Sequence, residues 1–194
     1  MQIKRLFSGT DYKGTRHYLK IQKKYEMVRT LLYFGISFSL LAAGIAATGE
    51  KLNLLTVVAI LGCLPASKSA VSMIMYLRYK SLSDHAEEQI LPVCDGLDTL
   101  YDMVFTSYDK NFPVAHMVVR GNTIIGYLEV SDFDEKAYFA HMDQILKKDG
   151  YKHVSVKIFT DIHKYTDRMK QLKELDAAKM VTSGIVHTLK SVVL

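Results

Sequence analysis

"LLYFGISFSLLAAGIAAT", residues Leu31–Thr48, runs for 18 residues without a charge. At 1.5 Å per residue such a helix is about 27 Å long, most of the roughly 30 Å of a bilayer's hydrocarbon core. "GEKLN" follows, and "LLTVVAILGCLPA" from Leu54 opens a second apolar run that continues, past Lys68, to Leu77. A connection this short makes the two segments antiparallel neighbours. The expectation is a transmembrane hairpin over residues 31–79, with helices at 31–48 and 53–77 folded about Gly49–Glu50–Lys51.

Charge sets the orientation. Residues 1–30 carry eight Lys/Arg against Asp11 and Glu26, whereas residues 80–194 carry 14 basic and 17 acidic residues, so the net charge of +5 belongs to the N-terminal arm. Lys and Arg crowd the outer flank of each apolar run, and the turn holds only Lys51 and Glu50. The positive-inside rule then places both termini in the cytoplasm. A cleaved signal peptide is not the reading, because about 30 residues precede the first run and a second run follows at once. Compact size and topology suggest a bacterial inner membrane.

Folding the hairpin about its turn brings Leu31 level with residues near 70 and Lys68 level with Tyr33, about a turn from Arg29. Lys68 is thus expected to snorkel to the inner interface, where Arg29, Arg78 and Lys80 also lie. Neither span holds an Asp or Glu to pair with it. Gly35, Ser39 and Ala43 form one small-residue ridge and Gly62, Ala66 and Ala70 another, and both suit helix packing inside the hairpin. The arm, residues 1–30, is expected to lie on the anionic inner leaflet, each cation near the surface contributing about 1 kcal/mol. Tyr12, Tyr18 and Tyr25 are interfacial residues on this reading, which gives no case for nucleic acid. Cys63 and Cys94, one in a span and one beyond it, make no disulfide framework and suit a reducing compartment.

Residues 83–176 read as a cytoplasmic α/β (α+β) domain with the order α-β-β-α-β-α, followed by an amphipathic C-terminal helix over 177–194. The stretch 84–108 spaces Ile90, Val93, Leu97, Leu100 and Val104 as a helix, with Asp95, Asp98 and Asp102 on one face. "FPVAHMVVRGNTIIGYLEV" predicts two strands about a tight turn at Gly121–Asn122. Asp132 and Glu135 have capping-box spacing for a helix that Gly150 ends, and "YKHVSVKIFTD" is a third strand. The segment after it is helical to the end, with an interruption near Ser183–Gly184. Val181, Ile185, Leu189 and Val192 give that last helix an apolar stripe for packing on the domain, on another subunit or on a membrane surface.

No glycine-rich phosphate loop, G-x-S-x-G elbow, H-E-x-x-H or C-x-x-C pair is present, and the histidines lack metal-ligand spacing. The inventory implies no cofactor and no resident metal. "HMVVRGNTIIGYLEVSD", His116–Asp132, resembles the central hairpin of the nuclease-related, PD-(D/E)xK-type domain. The helix and strand that follow, and the leading helix with Glu87 and Glu88, come in that family's order, over residues 87–160. The resemblance implies a metal-dependent phosphodiesterase site. Glu129 matches the family's Glu, but His116 stands at the first acid and Ser131 at the lysine, leaving Lys157 as a migrated lysine.

The combined reading is a membrane-anchored, non-catalytic scaffold or adaptor that presents its α/β domain to a protein partner or to further copies of itself. The alternatives are a membrane-tethered nuclease using Glu129 and Lys157, and a small oligomeric channel or transporter subunit in which Lys68 faces water.

Overall fold

In the computed structural model the described residues are 12–51, 53–130, 133–175 and 179–194. The chain divides into two compact units, a helical one over residues 19–79 and an α/β one made of residues 80–194 with the short segment that ends at Tyr18. The arm expected over residues 1–30 is therefore split. Its residues 12–18 belong to the α/β unit, and the first long helix begins at Tyr18.

The helical unit pairs α1 (Tyr18–Thr48) with α2 (Leu54–Arg78), both long and apolar enough to cross a membrane, with a mean hydropathy of 1.8 over the best 18 residues of each. Gly49, at φ +69°, ends α1, and the Asn53 side chain caps α2 by accepting from Thr56 N–H at 2.9 Å. Only 17% and 22% of these windows are buried, and Leu31, Phe38, Ile60 and Leu64 are each more than half exposed.

What is buried is a narrow seam. Thr30 and Ser69 share a hydrogen bond of 2.9 Å; a Cβ on Gly62 would meet Ser37 Oγ at 2.7 Å, and one on Gly44 would meet Leu55 at 2.9 Å. Ala59, Ala66 and Tyr76 are buried along the same line. Of the expected ridges, Gly62 and Ala66 thus lie in the seam and Ala70 is half-buried. Gly35, Ser39 and Ala43 do not: Gly35 has nothing within 4 Å of its would-be Cβ, and the other two are exposed. An uncharged helix carries small residues on every side, and here the hydrogen bond of Thr30 coincides with the face that pairs. The Thr30–Ser69 contact also brings Lys68 level with Leu31, two residues from the expected Tyr33, and Lys68 is exposed.

The α/β unit holds α3 (Asp84–Cys94), β1 (Asp98–Thr106), β2 (Asn111–Arg120), β3 (Thr123–Tyr127), α4 (Glu135–Lys148), β4 (Ser155–Phe159), α5 (Ile162–Lys173) and α6 (Lys179–Val192). The expected order is kept, with one strand added. The segment 84–108 is not a single helix: it turns after Cys94, and Asp98 and Asp102 lie on β1. The sheet order is β1-β2-β3-β4, antiparallel except for the parallel β3–β4 pair that α4 connects. The Gly121–Asn122 turn is as expected, with Arg120 opposite Thr123 and Gly121 at φ +54°.

Asp134, rather than Asp132, caps α4, its carboxylate accepting from Ala137 N–H at 3.1 Å; Asp132 lies outside the described residues. Gly150, at φ +84°, follows the helix, and Tyr151 N–H bonds back to Leu146 O. α5 ends at Lys173 with Glu174 as its cap, and α6, described from Lys179, passes through Ser183–Gly184 unbroken.

Two cores flank the sheet. Phe105, Met117, Ile124, Tyr138, Met142, Ile185 and Leu189 bury one face under α4 and α6, so the amphipathic last helix packs on its own domain. Ile90, Val118, Ile125, Tyr165, Met169 and Leu172 bury the other under α3 and α5. The alternation of β1 is interrupted between them. Leu100, Met103 and Phe105 belong to the first core and Tyr101 to the second, and the reversal falls at Asp102, which sits at φ +55°. Aspartate is among the few side chains that tolerate this region. Opposite Tyr101 on β2, His116 shares its face.

Candidate functional site

Glu129 follows β3 and is exposed. Its carboxylate accepts Ser83 N–H at 3.1 Å and Ser83 Oγ–H at 2.6 Å, while Ser83 Oγ itself caps α3 by accepting from Ala86 N–H. A carboxylate at the start of a helix is favoured by the unpaired N–H groups there. Glu129 is thereby engaged in holding the entry to α3. Lys157 lies on β4 with its ammonium 5.4 Å from the centre of the Phe159 ring. Ser131 lies outside the described residues. Among the described residues no group of three His, Cys, Asp or Glu side chains is placed to hold a metal.

His116, set between Val114, Met117 and Val118 on an interior strand, is fully buried. Its Nδ1 pairs with the Tyr165 hydroxyl at 2.7 Å, Cys94 Sγ stands 4.0 Å from Nε2 and 3.6 Å from Tyr101 Oη, and the Tyr101 ring meets the imidazole edge-on. Burial pushes the imidazole down to about 3, and burial likewise raises the Cys94 thiol and the Tyr101 and Tyr165 hydroxyls. Every member is therefore neutral near pH 7. Nucleophilic thiol chemistry needs a thiolate beside an imidazolium, and this constellation holds the reverse of both.

Beside it, buried Glu87 is bonded by Arg16, and His17 Nε2 lies 3.7 Å away. Lys13 donates to Val193 O at 2.5 Å. Two cations of the expected lipid-binding arm thus serve the α/β unit instead. No motif announces these pairings, because each joins residues at least 70 positions apart; the apolar neighbours of His116 are the one signal present in the sequence.

Of the other expected membrane-interface residues, Arg78 and Lys80 are exposed, whereas Arg29 is half-buried and bonds Glu26 and Ser69 Oγ, the latter at 3.2 Å. Glu26 is 3% exposed and also accepts from Gln22 Nε2 at 3.2 Å. A buried charge is stable only when paired in this manner.

Two surface grooves flank β4. One of about 710 Å³ is lined by the apolar Phe139, Leu146, Tyr151, Val154 and Val156 together with the polar Asp143, Lys147, Lys152 and His153, and one of about 490 Å³ by Lys157, Phe159, Lys164, Asp167 and Arg168.

No protein-family model matches the chain, and neither a curated protein nor a solved structure is significantly similar to it.

Proposed function

We propose that the chain is a two-pass membrane protein, both termini cytoplasmic, whose α/β unit acts without catalysis as a docking module at the inner leaflet. The observation that carries the membrane part is the exposed apolar surface of α1 and α2. A core helix of a water-soluble protein buries most of such a window, and these bury 17% and 22%. The flanking Lys/Arg support the orientation.

The docking part is supported by where the polar groups are engaged. Glu129 holds Ser83, the residue that caps α3, His116 is neutral and sealed in a core, and burial raises the Cys94 thiol. The nuclease alternative needs Glu129 free to bind a cation, and the channel alternative needs Lys68 in a water-filled path.

Carbonate extraction and cysteine-accessibility mapping test the anchor: retention in the membrane with both ends protected from outside reagents is expected, and release into the soluble fraction overturns it. Purified full-length protein, incubated with DNA or RNA and Mn²⁺, tests the rest. No turnover is expected, and cleavage abolished by Glu129→Gln would replace the docking reading with the nuclease one.

A further inference from the structure

The two edges of the sheet are treated differently. Along β1, Tyr101 N–H donates to Gly14 O at 3.0 Å, Leu194 N–H donates to Val104 O at 3.0 Å, and Val193 bridges Phe105. That edge is closed by chain from both sides of the unit. Along β4, Ser155 N–H donates to Asn122 O at 2.7 Å, and Phe159 O accepts from Leu128 N–H at 2.9 Å. Residues 155, 157 and 159 therefore turn their main-chain groups toward β3, and Val156 and Ile158 turn theirs outward. Among the described residues nothing bonds to that outer row.

We propose that the outer edge of β4 is a strand-addition site for an extended segment of a partner protein that alternates acidic and apolar residues. This rests on the docking reading above and names its surface. Main-chain pairing supplies affinity in such a site, and the pockets beside the edge select the side chains. On the α4 side, Val156, Phe139, Tyr151 and Val154 offer apolar surface in a groove that also carries Lys152, His153 and the Asp143–Lys147 ion pair. On the α5 side, Lys157, Lys164 and Arg168 face the other groove; its one carboxylate, Asp167, is held by Lys170 at 3.0 Å. A strand laid along β4 sends successive side chains into the two grooves by turns, so apolar residues meet the first and carboxylates the second.

A second copy of this chain fits less well. The register that pairs all five residues of β4 with themselves sets Lys157 opposite Lys157, and like charges directly opposite are destabilising.

The probe is a displayed library of random dodecapeptides, selected on the full chain in nanodiscs. The expected winners alternate acidic and apolar residues, and lose at least tenfold in affinity on Val156→Pro, which removes an outward N–H at an edge position where proline is tolerated. Lys157→Glu, at an exposed side chain, guards against a folding defect: it should weaken the same peptides and favour versions bearing lysine at the acidic positions. Absence of enrichment, winners without acidic alternation, or equal binding by both variants overturns the proposal. A dimer dispersed by Val156→Pro, with no peptide selected, overturns it in favour of self-pairing. In every one of these cases the docking reading is judged separately, by the membrane extraction and turnover assays.

Discussion

The Asp102 carboxylate accepts Leu82 N–H at 3.0 Å and also the Ser81 hydroxyl, while its own backbone stands in the left-handed region that reverses β1. One residue thereby fixes both the path of the chain into α3 and which core each half of β1 serves. Asp102→Ala keeps neither role and leaves a buried N–H unpaired, so a loss of about 2–4 kcal/mol is expected. Asp102→Asn retains the left-handed tolerance and one acceptor and should cost less than half as much. Denaturant unfolding of the detergent-solubilised chain, followed by tyrosine signals, measures both.

Acid should destabilise the α/β unit through His116. Its folded value, about 3, lies below the unfolded value of about 6.5, so the unfolded chain binds the extra proton. Its contribution is intact above pH 6.5 and falls as pH drops toward 3, at about 1.4 kcal/mol per pH unit. His141, also held low by burial, acts in the same direction. Unfolding midpoints taken from pH 7.5 to 4.5 should decline in the wild type and decline less steeply in His116→Gln; equal slopes would sink the assignment.

Glycine substitutions should separate the two sides of α1 and α2. Gly62→Ile places its Cβ against Ser37 and should cost about 1–3 kcal/mol by overpacking. Gly35→Ile meets nothing and should leave the melting temperature in detergent unchanged.

Cys94 should be a poor nucleophile. With its thiol raised by burial, alkylation near pH 7.5 should run at least tenfold slower than for a small free thiol and accelerate as pH rises. Fast labelling at neutral pH would contradict the neutral Cys94–His116 pairing.

The parts of this chain readable from sequence are those where one local rule dominates. Gly121–Asn122 is a turn for reasons internal to four residues, and an 18-residue uncharged run has few ways to be satisfied. β1 escaped because the Asp102 reversal destroys its two-residue alternation, so that Leu97, Leu100 and Val104 mimic a helical stripe. The seam escaped in part because Gly35, Ser39 and Ala43 are as small as Thr30, Ser37 and Gly44. The partners of Glu129 and Glu87 are Ser83 and Arg16, distant in sequence, and only the folded chain assembles them.

The seam contacts of α1 fall at residues 30, 37 and 44 and those of α2 at 69, 62 and 55, seven apart on each helix. An α-helix completes 3.6 residues per turn, so contacts that recur every seven drift about 20° per repeat unless the axes bend around one another. A seam with this spacing suits a left-handed supercoil, with Ser37 seated at a glycine. Sliding one helix along the other by a single turn would drive that serine against a side chain instead. The register of the hairpin is therefore set by size, a serine of one helix keyed to a glycine of the other.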